Sequence, residues 1–174
     1  MTQTTLATIP RLLSQVLSLY EIEADDVFEQ AHVELNEIDN PNGRISMEKM
    51  ARLWDCCVKA TDNEELGLIA ASLFQPTYLK GIGLAWMASA NLEEGLRRFV
   101  TNSQLVNTAV KIELIDQGDE LIIKYQSSQA ISNTVKSHRC AIELGVGFFL
   151  KMFRLAAGKT IPATDVFFTF SHQK

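Results

Sequence analysis

The segment from about Thr134 to Ala157 constrains this chain more than any other. Its apolar residues recur with helical period, Ile142, Val146, Phe149, Leu150 and Phe153 on one side and Leu144, Phe148 and Met152 widening that face. Between Cys140 and Leu150 the only charged residue is Glu143. A helix apolar around so much of its circumference must be covered on several sides, so the remaining elements have to bury it. Gly158 follows as a helix-ending residue. This run is well short of the roughly 20 apolar residues that cross a bilayer and carries Glu143, so it is expected to be covered by protein and not by lipid.

The one charge inside the run needs a partner if it is buried. Arg139 is four residues earlier on the same face and Lys136 seven earlier, and an i, i+4 ion pair is the favoured reading. The other reading turns Arg139 into a cavity, where its fork of donors suits a carboxylate or another anion. His138 and Cys140 invite a base-and-nucleophile reading, but residues two apart on a helix point to different faces, so packing roles are favoured.

Ahead of this segment the chain is mostly helical. Ile9 to Tyr20 carries Leu12, Leu13, Val16, Leu19 and Tyr20 as a stripe, with Pro10 in the first turn where its missing N–H costs nothing. Ala24 to Ala31 predicts a second short helix on Val27, Phe28 and Ala31, and Asn40-Pro41-Asn42-Gly43 predicts a turn. Ser46 caps a helix through Met47, Met50, Leu53, Trp54, Cys57 and Val58, and Thr61-Asp62-Asn63 opens the next through Leu66, Ile69, Ala70 and Leu73. At Val110 the period changes: Val110, Ile112 and Leu114 alternate with Lys111, Glu113 and Ile115, and Leu121-Ile122-Ile123 follows a Gly118-bearing loop, a hairpin. Val166-Phe167-Phe168-Thr169-Phe170 reads as a final strand. The expected fold is α+β in a single domain over residues 1–174. Residues 1–107 are mainly helical, and 108–174 hold a strand pair, the long helix and a strand, with that helix lying on a small antiparallel sheet.

Gly81 to Phe99 is the best-terminated local unit. Asn91 can accept from the free amides of a starting helix and Glu94 can reach back to the Asn91 amide, a capping box that starts the helix at Leu92. Leu92, Leu96, Phe99 and Val100 share one face, while Arg97 and Arg98 have Glu93 and Glu94 one turn earlier and form a solvated face. The glycine-led segment Gly81-Ile82-Gly83-Leu84-Ala85-Trp86, followed by the capped Leu92-x-x-x-Leu96-Arg97-Arg98 helix, resembles the amino-terminal, arabinose-binding-like effector domain of AraC-type transcription regulators. The order of the other pieces is similar across most of the chain: the helix with Pro10, Ile45-Ser46 leading into a helix, Leu66-Gly67-Leu68, the hairpin at Gly118, the long helix to Gly158, and Phe168-x-Phe170-x-His172. The resemblance implies a ligand-sensing and oligomerisation domain that works as a homodimer. In the family the pattern continues into a region with two helix-turn-helix units, whereas this sequence stops at Lys174, so DNA contact is expected only through a carboxyl-terminal region outside it.

Composition agrees with that division of labour. Sixteen Lys plus Arg against 21 Asp plus Glu leave a net charge of −5, which gives no general attraction to phosphate backbones. Three cysteines form neither a disulfide framework nor a zinc spacing, and Met1 to Leu6 lacks a secretion signal, so a cytoplasmic protein without a membrane partner is expected. Glu29 and His32 are half of a di-iron helix signature without the other half, so no metal is expected. Phosphate loops, nucleophile elbows and His-Glu-x-x-His are missing, which points to no cofactor and no enzyme. The aromatic set Phe74, Trp86, Phe99, Phe148, Phe149 and Phe153 suits a pocket for an apolar effector, although for any one of them plain core is favoured. The candidate ligand residues are therefore Arg139, Glu143, Phe148, Trp86, Phe99 and Phe153, for an apolar or carboxylate-bearing small molecule. A stand-alone carrier is the alternative, and a small enzyme using Arg139, Glu143 and His138 the third reading.

Overall fold

Short polar side chains start two of the helices. In the computed structural model, which describes residues 2–40, 42–127, 138–159 and 161–169, Ser46 Oγ accepts from the Lys49 amide at 3.2 Å and Asn91 Oδ1 from the Glu94 amide at 2.9 Å. The first elements are β1 (Thr4–Leu6), α1 (Thr8–Ser18), α2 (Ala24–Gln30), α3 (Leu35–Asp39), β2 (Arg44–Ser46), α4 (Met47–Thr61) and α5 (Leu66–Leu73). After a 3-10 turn at Pro76–Leu79 come α6 (Gly81–Met87), α7 (Leu92–Val106), β3 (Val110–Asp116), β4 (Leu121–Ser127) and α8 (Arg139–Ala157). The class is α+β, with most of the expected helices and the hairpin in place. Gly43 donates to the Asn40 carbonyl at 2.8 Å, closing the turn expected there.

Several expectations are corrected. The capping-box carboxylate of Glu94 accepts from the Ala90 amide at 3.0 Å, not from Asn91, while its other oxygen holds Arg98. Helix α1 stops at Ser18, which leaves Leu19 62% exposed and passes the buried stripe to Leu12, Leu13, Val16 and Leu17. Helix α8 begins at Arg139, because His138 is extended and serves as its cap; residues 134–137 lie outside the described ones. Its fully covered face is Cys140, Glu143, Leu144, Phe148, Phe149 and Met152, whereas Ile142, Val146, Leu150 and Phe153 are half-buried. The final strand is not formed over residues 161–169, and Phe167 is 89% exposed; Phe170 and His172 lie outside the described residues. Strand propensity needs a ladder to act on, and among the described residues β3 and β4 pair only with each other.

The first sheet, in which β1 runs antiparallel to β2 with Thr5 opposite Ile45, was not among the expected elements. This short strand ties the two ends of the helical region together. Thr4 exchanges backbone and hydroxyl bonds with Thr108 at 2.8 and 3.0 Å, and Arg44 Nε and Nη1 donate to Thr4 Oγ1 at 2.7 Å and the Leu105 carbonyl at 2.6 Å.

Helices α5 and α8 pack almost backbone to backbone. A Cβ on Gly67 would lie 2.2 Å from the Cys140 carbonyl oxygen, and one on Gly147 would lie 2.5 Å from Ala71 Cβ. The pair runs parallel, first turn against first turn. It is fastened at both ends, where Cys140 Sγ donates to the Glu64 carbonyl at 3.3 Å and Lys151 Nζ to the Ser72 carbonyl. The hairpin meets α8 at a third glycine, where a Cβ on Gly145 would stand 2.8 Å from Tyr125 Cζ. The long helix is thus seated on α5, and the hairpin touches it through Tyr125. One hydrophobic cluster runs from Ala7 to Met152 around this seam. Gly67→Ala must push the helices apart and should cost roughly 1–3 kcal/mol by urea unfolding. Gly81→Ala, whose added methyl meets nothing within 4 Å, should be neutral or stabilise by up to about 1 kcal/mol.

Candidate functional site

Because α8 touches α5 and Tyr125 through glycines, its remaining face stands over a gap. This gap is a cavity of about 110 Å³. One wall is α8, with Ala141, Ile142, Leu144, Gly145, Phe148 and Phe149. Opposite it stand Met47, Met50 and Trp54 of α4, Phe99, Ser103 and Val106 of α7, and Val110, Ile112 and Tyr125 of the hairpin, with Phe74, Leu79, Thr5, Ile9 and Asn107 closing the ends. None of the described residues lining it carries a formal charge.

The aromatic expectation divides here. Phe99 and Phe148 line the cavity, with ring centroids 5.1 Å apart, and so do Phe74 and Phe149. Trp86 and Phe153 stand behind them as a supporting layer, Trp86 at 5.3 Å from Phe99 and 6.0 Å from Phe153. Trp86 is held there by Gly95, where a Cβ would meet the indole at 2.6 Å. Met47, Met50, Trp54 and Tyr125 are lining residues that sequence reasoning missed. The first three were assigned to the core stripe of their helix, and the only signal for Tyr125 was its inward alternation with Ile123.

Arg139 and Glu143 are not in the cavity wall. Arg139 Nε donates to Glu143 Oε1 at 2.6 Å and Nη1 approaches Glu64 Oε2 at 3.6 Å, so the i, i+4 pair is what forms. The Glu143 side chain is only 5% exposed, and its Oε2 has no hydrogen-bond partner among the described residues. The bond to Glu143 holds the Arg139 guanidinium even more firmly protonated than usual.

His138 forms the other polar group at the head of α8. Its Nδ1 accepts from the Cys140 amide at 3.2 Å, which assigns the proton to Nε2, and Nε2 faces Asp55 Oδ1 at 3.3 Å. The ring stacks on Trp54, centroids 6.1 Å apart. Burial lowers its pKa below the ordinary 6.5, with Asp55 acting in the opposite direction. Burial also raises both buried thiols, Cys57 to about 12, so neither offers a thiolate. His32 lies past the end of α2 with a φ of +56°, so it does not share a helix face with Glu29. Among the described residues no group of His, Cys, Asp and Glu is arranged to hold a metal, and no helix is long and apolar enough to cross a membrane.

Two outcomes follow from these polar groups. The folded chain holds His138 neutral while the unfolded chain protonates it near pH 6.5. The unfolded state therefore binds more protons below that pH, and this contribution is complete above 6.5 and lost as pH falls through the lowered folded value. His138→Asn keeps an acceptor at the cap and should flatten that part of a Tm-against-pH profile. Arg139→Ala strands a buried carboxylate and should cost roughly 2–3 kcal/mol in chemical denaturation, most of it recovered when Glu143→Leu is added.

The chain matches the model of the arabinose-binding domain of AraC transcription regulators, N-terminal, over residues 22–174. Among curated proteins none matches it. The matched span takes in every cavity-lining helix from α4 to α8 and the hairpin between them. The chain therefore belongs to the family of arabinose-binding N-terminal domains of AraC transcription regulators, a non-catalytic effector-binding domain.

Proposed function

We propose that this chain senses a small-molecule effector in the cavity beneath α8 and, as a homodimer in the cytoplasm, controls DNA binding by a region outside it. The observation that carries this reading is the cavity itself, a space whose described lining is uncharged and largely apolar, at the meeting of α4, α7, the hairpin and α8. Phe99 and Phe148 are the contacts proposed for the ligand. Trp86 and Phe153 support them, and Arg139 with Glu143 braces the head of α8. The net charge of −5 fits a domain that leaves DNA contact to another region.

A ligand acts on such a domain only through differential affinity for two states. The α5–α8 pair cannot slide freely, because Gly67 seats α5 on the α8 backbone and Gly147 seats α8 on the Ala71 methyl. A molecule entering under α8 therefore moves that pair as a unit relative to the hairpin, and the pair is the element proposed to report occupancy. A thermal-shift screen of small molecules should raise the Tm of the chain by roughly 5–10 °C for a compound at a hundredfold excess over its Kd. Ala141→Trp and, separately, Ile112→Phe fill the cavity from opposite walls, and each should abolish the shift while the circular dichroism spectrum is kept. Equal shifts in the folded filled variants would place the effector elsewhere and overturn the reading.

A further inference from the structure

We propose that Thr5 and Ser103 form a hydrogen-bond-accepting end of the cavity, which selects effectors that carry a hydroxyl or N–H donor beside an apolar ring or chain. This deepens the sensing reading above and rests on it.

Both side chains line the cavity and both residues are buried, Thr5 3% and Ser103 6% exposed. Distant in the chain, they are brought together by backbone pairing. Thr5 stands opposite Ile45 in the first sheet and also bridges Asn107, whose amide donates to the Ser103 carbonyl at 3.0 Å. The last turn of α7 therefore carries one hydroxyl and holds β1, with the other, against it.

What these hydroxyls offer a ligand is fixed by where their protons go. A serine or threonine hydroxyl has one proton and two lone pairs. Ser103 Oγ lies 2.8 Å from the Val100 carbonyl oxygen, and Thr5 Oγ1 lies 3.3 Å from that of Val106. Val106 is the last residue of α7, so its carbonyl has no donor within the helix and takes the Thr5 proton. A carbonyl cannot donate, so in both bonds the hydroxyl gives its one proton to the backbone. Toward an occupant of the cavity both oxygens can then only accept. A ligand donor placed there gains a bond, whereas a ligand acceptor loses its water and meets only lone pairs.

The apolar part of the ligand has its place on the same helix. Phe99 lies one turn before Ser103 on α7 and also lines the cavity, with the Phe148 ring 5.1 Å from its own. The space of about 110 Å³ is near that of an engineered cavity of about 150 Å³ that holds benzene, which sets single-ring size. Phenols, cyclic alcohols and polyols, pentoses among them, share the donor chemistry this end requires.

The test titrates phenol, toluene and pyridine by calorimetry into the wild-type chain, Ser103→Ala, Thr5→Val, Thr5→Ser and the filled Ile112→Phe variant. The three rings are close in size; phenol brings a donor, pyridine only an acceptor and toluene neither. All binding should be lost in Ile112→Phe. The phenol-to-toluene affinity ratio should fall about fivefold in Ser103→Ala and in Thr5→Val and be kept in Thr5→Ser. The pyridine-to-toluene ratio should not fall in any of them. A merely structural role would weaken all three rings alike, so an unchanged phenol-to-toluene ratio in either hydroxyl-less variant overturns the proposal. A pyridine-to-toluene ratio that falls as well means that this end donates, and overturns it too. Both results leave the sensing reading standing. Failure of all three rings to bind the wild type overturns the proposal, and the sensing reading falls with it only if the wider thermal-shift screen also finds no cavity-dependent ligand.

Discussion

Two helices in this protein approach until backbone meets backbone, and most of the architecture follows from that contact. Gly67 on α5 lies under the first turn of α8, and Gly147 on α8 lies over Ala71 of α5. Side chains on either position would hold the axes apart, so only glycine permits the seam. Once α8 is seated there, its residues 140, 144, 148 and 152 are committed to the core. The rest of its apolar surface then has to be covered by α4, α7 and the hairpin, which arrive from other directions.

Those three elements do not close completely. Aromatic rings are rigid and large, and Phe74, Phe99, Phe148 and Phe149 meet at tilted and edge-on angles around the gap under α8. Trp86 and Phe153 hold these rings from behind and restrict their collapse into the gap. The charged groups at the head of α8 are spent on internal tasks. Arg139 serves the buried Glu143, and His138 caps the helix while resting on Trp54, itself part of the cavity wall. The described lining of the cavity is accordingly set by shape and apolar contact, with few polar groups.

Much of the fold was legible because local rules govern it. Ser46 and Asn91 announce helix starts by offering an oxygen to unsatisfied amides, and Gly158 ends α8 in a left-handed conformation that other residues resist. The hairpin was legible from alternation alone. What was not legible depends on partners distant in the chain. Val166 to Thr169 has strand composition but no ladder, and Thr4 to Leu6 has little strand signature but finds one in Arg44 to Ser46. For the candidate site, Phe99 and Phe148 were identified as aromatic candidates, but periodicity could not separate them from Trp86 and Phe153, since every one of them sits on the apolar face of its helix.

By itself, the sequence determined that an apolar helix carrying one carboxylate must be buried, that Arg139 is spaced to neutralise that carboxylate, and that the pieces follow the order of the AraC effector-domain family. These properties depend on composition, on spacing along one helix and on order along the chain. Only the tertiary structure decided which face of α8 looks into the cavity, that Tyr125 from the hairpin joins it, and that the ion pair stays outside it. Each of these depends on where α5 and the hairpin stop α8, and Gly67, Gly145 and Gly147 set those stops through contacts with residues far away in the chain.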